Sequence, residues 1–339
     1  MGRARELHDL LSNASSLAIV CHDNPDPDSL ASAMALEAIA RNAGIEEVSI
    51  LYGGEITHQE NRAMVNLLDV NCQPYSEEIV DAADLVAFVD HSIPGRNNPV
   101  PTEIGVDIVI DHHPADNVEA DFVDRREDIG ATATILTEYL DELDLPLDGT
   151  LATALMFALR RETLEFLRGV SGAEFEAAGQ LQGTVDMDLL RRLSHPAISE
   201  ATIDAISDTI DNRTIRGSVL ISHAGRTSER DALPQAADYL SDVEGVETAV
   251  VFAIIGDAVE LSARSTDSRI HVGDAMHDAF GDVGSAGGHR QMAGGHIPLG
   301  LFADADEEAE LVDIVERIVT KRLVAELRLS ERDEDGNGE

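Results

Sequence analysis

The sequence predicts an α/β protein with an N-terminal parallel-sheet domain and a smaller C-terminal α/β domain. In the first half, short runs rich in Val, Ile and Leu alternate with segments of helical periodicity, which is typical of a parallel sheet covered on both faces. The composition changes near Arg213, where a second series of strands begins. The length of 339 residues also exceeds the roughly 250–300 at which single cores usually stop growing. Two domains are therefore expected.

The first domain is predicted to contain four buried strands separated by helices. The strands are residues 16–20, 48–52, 85–89 and 106–110, with helical segments at 4–12, 28–44 and 61–68. From Ala131 to about Asn212 the apolar spacing is almost wholly helical. In the second domain, strands are predicted at 218–222, 248–255 and 259–265, and helices at 232–241, 271–280 and 307–327.

These patterns predict four segments along the chain. Residues 1–190 form a first domain, 191–212 a helical linker, 213–329 a second domain, and 330–339 a disordered acidic tail. Cys21 and Cys72 are too few for a disulfide framework and neither lies in a CxxC pair, which favours a reducing cytoplasm. No apolar run approaches the roughly 18 residues of a membrane span, so no membrane partner is expected.

The composition is strongly acidic, with 24 Lys+Arg against 65 Asp+Glu, a formal net charge of -41, and Lys321 as the only lysine. This balance argues against broad electrostatic capture of nucleic acid, which needs clustered cations. The acidic residues are spread along the chain and resemble the surfaces of proteins from salt-accumulating archaea, where ionic strength screens self-repulsion. A haloarchaeal source is expected.

The run from His22 to Asp28 places one imidazole and three carboxylates directly after an apolar strand. Carboxylate and imidazole groups bind ions such as Mn²⁺ and Mg²⁺, and the two prolines restrict the backbone around Asp26. The run therefore predicts a metal-ligand loop. The alternative is a helix N-cap cluster in which Asp28 or Ser29 caps the following helix and the other side chains are solvated.

Acid and imidazole residues also follow two later strands. Asp90 and His91 come after the third strand, and Asp111, His112 and His113 come at the end of the fourth. Each pattern alone is compatible with a polar turn. In open α/β sheets, however, ligands bind beyond the carboxyl ends of the strands, and three strands would bring these side chains to that edge. Together they predict one metal centre.

These motifs resemble the signature of the DHH phosphoesterase superfamily, which includes RecJ nucleases, oligoribonuclease and pAp phosphatases of the NrnA type, cyclic-dinucleotide phosphodiesterases, exopolyphosphatases and type II inorganic pyrophosphatases. The runs Ser262 to Ser265 and Ser285 to Gly295 resemble the glycine-rich DHH-associated C-terminal domain of the nucleotide-cleaving members. The resemblance covers nearly the whole chain and weakens in its helical middle.

The resemblance implies a centre of two Mn²⁺ ions, with Mg²⁺ or Co²⁺ as substitutes. His22 and Asp26 would hold one ion, Asp28 and His112 the other, and Asp90 would bridge them. His113 would contact the scissile phosphate or support a ligand, so Asp90 and His113 are the expected catalytic residues.

The family motif Gly-Ile-x-Thr-Asp-Thr, whose Asp completes the second metal, aligns with Ala158 to Phe166 and places Glu162 at the Asp position. The extra methylene shifts the carboxylate by about one bond length, whereas metal sites tolerate only about 0.2 Å in ligand distance. The alternatives are a solvated charge cluster of Arg160, Arg161 and Glu162, or arginines that contact substrate phosphate.

The second domain is expected to bind the substrate. Arg264 can hold a phosphate bidentately, Ser265 follows it, and backbone N–H groups of a Gly287-Gly288 turn can form an anion-binding nest beside His289. The alternatives are a surface arginine on a strand and a glycine turn of purely conformational use. With metals in one domain and phosphate binding in the other, the substrate is expected in a cleft between them.

The expected function is Mn²⁺-dependent hydrolysis of short nucleotides, such as oligoribonucleotides, pAp, or linear or cyclic dinucleotides, by a hydroxide that two metals activate. One alternative is a RecJ-like 5'-3' single-strand exonuclease. The scarcity of aromatic residues (Tyr 4, Phe 8, Trp 0) disfavours it, since tracking of long strands uses aromatic platforms. An alternative of another class is a replication-associated or nucleotide-binding scaffold weakened at Glu162. A pyrophosphatase is disfavoured by the Gly287 to His289 pattern, and a homodimer is compatible with the sequence.

Overall fold

The apolar runs of the first half form one six-stranded parallel sheet. The structure, a computed structural model, describes residues 2–56, 58–195, 198–304 and 308–327. The strands are β1 (Ser16–Asp23), β2 (Glu47–Gly53), β3 (Cys72–Pro74), β4 (Leu85–Val89), β5 (Ile108–Asp111) and β6 (Phe122–Arg125), in the order β3-β2-β1-β4-β5-β6. The four predicted strands are the central four. The two edge strands were not predicted because each has only three or four residues.

Helices cover both faces of this sheet. They are α1 (Arg3–Leu11), α2 (Pro27–Asn42), α3 (Gln59–Leu67), α4 (Glu77–Ala82), α5 (Thr132–Glu142), α6 (Gly149–Glu162), α7 (Gly172–Leu181) and α8 (Met187–Ser194). On one face α2 packs against α5 and α6, and Leu36 and Leu155 are fully buried in that core. On the other face Phe88 and Val109 pack with Val80 of α4. The predicted parallel sheet between two helical layers is confirmed.

The sheet brings the candidate ligands to one edge. Val20 pairs with Phe88, and Val89 pairs with Ile110, so the carboxyl ends of β1, β4 and β5 lie side by side. His22 is the penultimate residue of β1, Asp90 follows β4, and His112 follows β5. Parallel strands present such residues together because all of their carboxyl ends meet at the same edge.

The C-terminal half forms a separate mixed sheet in the order β11-β12-β10-β9-β8-β7. Its strands are β7 (Thr214–Arg216), β8 (Val219–Arg226), β9 (Thr248–Ile255), β10 (Ala258–Ser265), β11 (Ser285–Gly288) and β12 (Met292–Pro298). Its helices are α9 (Glu200–Asp211), α10 (Ala232–Ser241), α11 (Val272–Phe280) and α12 (Glu308–Glu326), with a 3-10 turn at Gly300–Asp304. The hairpin β11-β12 was not predicted because glycines dominate it.

The chain divides into two units, Met1–Ala197 and Ile198–Glu339. This division places α9 in the second unit, where it packs against β8 and α10 and buries Ala205. The sequence instead assigned 191–212 to a linker, because apolar spacing does not show which domain a helix packs against. The acidic tail predicted at 330–339 lies outside the described residues.

A buried glutamate fixes the loop that leads into α5. Glu174 of α7 accepts the backbone N–H of Gly130 through Oε1 at 2.8 Å and that of Ser171 through Oε2 at 2.6 Å. It also completes a capping box with Ser171. Burial opposes ionisation of this carboxyl, but the N–H groups of Gly130 and Ser171 outweigh burial and keep its pKa below the ordinary value.

Glu174→Ala is expected to lower the free energy of unfolding by about 2 to 4 kcal/mol, because two backbone N–H groups lose their acceptor. Urea denaturation followed by circular dichroism measures this change. Glu176→Ala, at an exposed position of the same helix, is the matched control and should change stability by less than about 0.5 kcal/mol. Equal losses in both variants would contradict the role of Glu174.

Candidate metal centre

The loop after β1 is organised by Asp26 and its two flanking prolines. Asp26 is the N-cap of α2 and accepts the backbone N–H groups of Asp28 and Ser29 through Oδ1, both at 3.0 Å. The alternative, in which Asp28 or Ser29 caps the helix, is wrong: Asp26 is the cap, and Asp28 and Ser29 lie inside the first turn and are buried. The remaining lone pairs of Asp26 leave it able to bind a cation as well.

One group of candidate ligand atoms joins β1 to the end of β4. The Nε2 atom of His22 lies 3.7 Å from Oδ1 of Asp26 and 3.6 Å from Oδ2 of Asp90. Nδ1 of His22 is 2.9 Å from the carbonyl oxygen of Asp23, so Nδ1 donates and Nε2 faces the two carboxylates. This tautomer is the one in which a histidine binds metal through Nε2.

The second group lies at the ends of β4 and β5. Nε2 of His112 is 3.7 Å from Oδ1 of Asp90 and 3.9 Å from Oδ2 of Asp28. Nδ1 of His113 is also 3.7 Å from Oδ1 of Asp90. Within the described part of the chain, the ligand atoms of Asp90, His112 and His113 lie within 4.8 Å of one another, as do those of His22, Asp26 and Asp90. Asp90 thus belongs to both groups, through different oxygens.

These residues fit divalent cations. Separations of 3.6 to 3.9 Å are too long for hydrogen bonds. They match two ligands of one ion, which lie about 3 to 4.2 Å apart when each is ~2.1 Å from it. Nε2 of His112 is buried and is one of four such side-chain atoms in the described chain without a hydrogen-bond partner. An imidazole nitrogen without a partner that faces two carboxylates is a donor set that fits a divalent metal ion.

The electrostatics of the centre also call for positive charge. Burial raises the pKa of Asp28 well above its ordinary value, and repulsion from Asp90 and Glu162 adds to this shift. Burial lowers the pKa of His22, but Asp26 and Asp90 outweigh it and raise that pKa to about 11. Several carboxylates thus compete for too few cations, a condition that bound metal ions relieve.

Helix α5 donates hydrogen bonds to two of these carboxylates. The sequence did not predict these contacts. Asp28 accepts the backbone N–H groups of Thr132 at 2.7 Å and Ala133 at 2.8 Å, so it holds the start of α5 in addition to facing His112. The Thr132 hydroxyl donates to Oδ1 of Asp90 at 2.8 Å. The only sequence signal for these contacts is the run of small residues from Gly130 to Thr134, which permits close approach.

His91, which the sequence paired with Asp90, is a core residue. Its ring stacks on Phe88 with centroids 4.3 Å apart, and its Nδ1 lies 3.0 Å from the carbonyl oxygen of Val89. Burial lowers its pKa to about 4, so the ring is neutral near pH 7. Its role is packing beneath the centre.

His113 is half-exposed and is oriented by Asp111. Nδ1 of His113 is 3.0 Å from Oδ1 of Asp111, and the Ser92 hydroxyl donates to Oδ2 of the same carboxylate at 2.5 Å. The hydrogen bond to Asp111 raises the pKa of His113 to about 9. An oriented, accessible imidazole beside Asp90 is suited to contact a substrate.

Glu162 ends α6 close to the centre without joining either group of ligand atoms. Burial raises its pKa, and the charges of Asp26 and Asp90 raise it further, which places its carboxyl within their field. Its Oε1 lies 3.6 Å from Nη2 of Arg168. Metal ligation by Glu162 stays a prediction.

The two arginines before Glu162 are paired with carboxylates of the same unit. Arg160 donates to Glu165 at 2.6 Å, and Arg161 lies 2.8 Å from Glu60. These ion pairs account for both side chains without a substrate phosphate.

The predicted substrate-binding residues lie at one end of the C-terminal sheet. Arg264 donates to Asp238 through Nε at 2.5 Å and to the carbonyl oxygen of Ala263 through Nη1 at 3.0 Å. Ser265 is buried, and its hydroxyl lies 2.8 Å from that of Thr248. Ser265 therefore supports the strand end rather than lying open to solvent.

The glycine-rich segment differs from the predicted anion-binding turn. Gly287 and Gly288 are extended, with φ of 158° and 151°, and pair with Gly294 and Ala293 across the hairpin. The backbone N–H of His289 donates to Met292 at 2.8 Å. A Cβ on Gly288 would lie 2.5 Å from the Met292 carbonyl oxygen, so this glycine is required for close packing. The prediction of a nest at this position is wrong because the segment is a strand.

Comparison with known proteins gives two family matches. Residues 16–166 match the DHH family, N-terminal domain, and residues 216–321 match the DHHA1 domain. The chain belongs to the DHH superfamily. The first match contains every candidate ligand described above, and the second contains Arg264 and the glycine-rich hairpin. The resemblance inferred from the motifs is confirmed.

Two curated relatives are similar to this DHH chain over part of their own length. An uncharacterized protein of Methanocaldococcus jannaschii is 37% identical over 94% of this chain and 65% of its own length. A probable manganese-dependent inorganic pyrophosphatase of Listeria monocytogenes is 28% identical over 50% of this chain and 55% of its own length. The chain thus spans 65% of the length of the first relative and 55% of the length of the second.

The crystal structure of an exopolyphosphatase-related protein from Bacteroides fragilis superposes with a TM-score of 0.70. Its sequence identity is 14%, and the match covers 96% of this chain and 97% of that one. At this identity the likeness shows the fold.

In the described part of the DHH chain, no helix has both the length and the apolarity to cross a bilayer.

Mn²⁺ is expected to raise the melting temperature of the wild-type protein, and Asp90→Asn to reduce Mn²⁺ affinity by at least about 10²-fold. Asp90 has a left-handed backbone, with φ of 66°, that Asn also tolerates, so this variant removes charge without adding backbone strain. Electron paramagnetic resonance of free Mn²⁺ measures the affinity.

Asp144→Asn is the matched control, because Asp144 is exposed and also left-handed, with φ of 52°. Its Mn²⁺ affinity should equal that of the wild type. Unchanged affinity in Asp90→Asn would remove Asp90 from the centre.

Proposed function

We propose that this DHH protein is a Mn²⁺-dependent phosphoesterase acting on phosphodiester or phosphomonoester bonds of short nucleotides. The observation that carries the proposal is the position of Asp90, whose two oxygens face separate imidazole groups. A shared carboxylate between two ligand sets is the arrangement that a pair of divalent ions requires. The manganese dependence named for the pyrophosphatase relative supports the choice of metal.

In this proposal, His22 and Asp26 hold one ion, Asp28, His112 and Glu162 hold the other, and Asp90 contacts both. When bound, two such ions would lower the pKa of water far below its bulk value and neutralise the charge of a phosphate group. The protein supplies rigidity: the N–H groups of α5 fix Asp28, and the Thr132 hydroxyl fixes Asp90. No protein nucleophile is required.

His113 is proposed to contact the substrate phosphate. Asp111 engages its Nδ1 atom and leaves the second ring nitrogen available, while half of the side chain is exposed. A ring held in this way loses little additional freedom when it meets a phosphate oxygen. Asp111 and Ser92 therefore act as positioning residues for His113.

Short substrates are favoured over long single strands. The net charge of -41 repels an extended polyanion, and the chain has few aromatic residues on which successive bases could stack. Small nucleotides expose less charge to this field. Arg264 and His289, which lie within the DHHA1 match at residues 216–321, are proposed to make further contacts with the substrate phosphate.

The wild-type protein with Mn²⁺ is expected to hydrolyse pAp or linear dinucleotides faster than pyrophosphate or a 20-nucleotide strand. A panel of these four substrates, assayed at low and at molar KCl, measures this order. High salt is included because acidic residues spread along the whole chain predict that folding depends on salt. Processive shortening of the long strand from its 5' end would instead identify a RecJ-like exonuclease. Faster pyrophosphate hydrolysis would identify a pyrophosphatase.

The departure at Glu162 favours one further candidate, a nucleotide-binding scaffold with a weakened second site. Metal content separates the two functions. Two Mn²⁺ per chain with turnover supports the enzyme, whereas one or none, with nucleotide binding but without turnover, supports the scaffold.

Arg264→Ala is expected to raise KM for a dinucleotide about tenfold with little change in kcat, because loss of a charged hydrogen bond costs about 1.5 kcal/mol or more. Steady-state kinetics measure both constants. Arg269→Ala is the control, since Arg269 is largely exposed on the same unit and pairs with Asp267. Unchanged KM in Arg264→Ala would show that this arginine does not bind substrate.

A further inference from the structure

We propose that an apolar surface beside the metal centre binds the base of the nucleotide substrate. This surface, called the 166–175 face, consists of Leu164, Phe166, Leu167 and Phe175. The inference rests on the proposed function and deepens it, because it assigns a subsite that a nucleotide can fill and an inorganic polyphosphate cannot.

The 166–175 face exposes side chains that are usually buried. Leu167 is 85% exposed, Phe175 58% and Leu164 39%. The rings of Phe166 and Phe175 stack with centroids 5.4 Å apart and planes inclined by 25°. Five of the eight phenylalanines, at 88, 122, 157, 252 and 280, are instead among the largest fully buried side chains. Phe175 thus presents an exposed ring that stacks on the half-buried Phe166, an arrangement suited to bind a ligand.

The backbone that presents this face is strained. Leu164, Glu165 and Phe166 are three consecutive left-handed residues, with φ of 49°, 59° and 65°. Such a conformation costs about 1–2 kcal/mol for each residue with a side chain. Thr163 holds the turn: its carbonyl oxygen accepts the N–H of Leu167 at 2.9 Å, and its hydroxyl oxygen accepts that of Phe166 at 3.0 Å. Strain of this kind persists at sites with a function.

Two segments of the chain connect the face to the metal centre. Thr163 directly follows Glu162, whose carboxyl is influenced by Asp26 and Asp90. Phe175 directly follows Glu174, which accepts the N–H of Gly130. The residue before Gly130 is Ile129, whose carbonyl oxygen lies 3.3 Å from Nδ1 of His112.

The turn and the Gly130 loop also contact each other. A Cβ on Gly130 would lie 2.6 Å from the carbonyl oxygen of Gly169 and 3.0 Å from Cγ2 of Thr163. The segments that carry Phe166 and Phe175 are thus packed directly against the segments that hold His112 and Glu162. A substrate whose phosphate lies at the centre can reach this face with an attached group.

The chemistry of the face favours a nucleobase as that group. Bases stack on aromatic side chains with a gain of about 1–3 kcal/mol each, largely independent of sequence. An apolar surface beside the proposed metal centre complements a nucleotide, which joins an aromatic base to an anionic phosphate.

The test compares a dinucleotide, pApA, with an analogue in which the 3' base is replaced by hydrogen. Phe175→Ala and Leu167→Ala should each lower kcat/KM for pApA about tenfold, mainly through KM, and leave the abasic analogue unchanged. Both side chains are exposed, so the fold should persist. Phe302→Ala is the matched control, because Phe302 is 63% exposed in the other unit.

A second readout is independent of turnover. The fluorescence of 2-aminopurine riboside 5'-monophosphate should be quenched by the wild type and by Phe302→Ala, since stacking quenches this base, but not by Phe175→Ala. Absence of quenching by the wild type would overturn the inference even if neither dinucleotide is cleaved.

The outcomes separate the face from the proposed function. Wild-type cleavage of both dinucleotides at equal efficiency would overturn the base subsite and leave the phosphoesterase intact. Cleavage of neither, with pAp also left intact, would overturn the phosphoesterase, and the fluorescence measurement would then decide the subsite alone. A change of oligomeric mass in Phe175→Ala, with substrate discrimination unchanged, would assign the face to contact between two copies of the chain.

Discussion

The repulsion among buried carboxylates at the carboxyl edge of the parallel sheet is the constraint on which the N-terminal unit depends. Asp28 and Asp90 are almost fully buried, and Asp26 and Glu162 lie within their field. The imidazoles of His22 and His112 face them at distances too long for hydrogen bonds. Such a cluster is tolerated when cations are bound, because burying unpaired charge costs several kcal/mol. This arrangement fits the bound metal ions that are proposed for the centre.

The surrounding structure keeps these ligands in place without the metal. The first two N–H groups of α5 donate to Asp28, and the Thr132 hydroxyl donates to Asp90. Behind them, Glu174 fixes Gly130 and thereby the entry to α5. A ligand set positioned in advance loses little entropy when ions or substrate bind, which is the usual basis of precise catalytic geometry. The support extends outward to α7, and there it meets the proposed base subsite.

The region around Glu162 has two unusual features: Glu162 differs from the Asp of the family motif, and a strained turn follows it. A longer side chain replaces the expected Asp, and three left-handed residues come two positions later. Both features alter the same side of the centre, where substrate specificity would be determined. In the C-terminal unit, by contrast, the glycine-rich motif forms an extended hairpin. Its glycines are explained by the close approach of Gly288 to Met292 and Ala293.

The sequence by itself determined the two-domain α/β organisation, the four central strands and the family. These features depend on local apolar periodicity and on short motifs, which a linear pattern records directly. It also predicted that His22, Asp26, Asp90 and His112 lie together, because acid and imidazole residues at three strand ends meet at one edge of a parallel sheet.

Only the tertiary structure decided that Asp26 is the helix cap, that Asp28 binds N–H groups 104 and 105 residues away, and that His91 is buried. It likewise decided that Gly287 and Gly288 are extended. These outcomes depend on contacts between distant segments, and no local pattern specifies which backbone group will reach a given side chain.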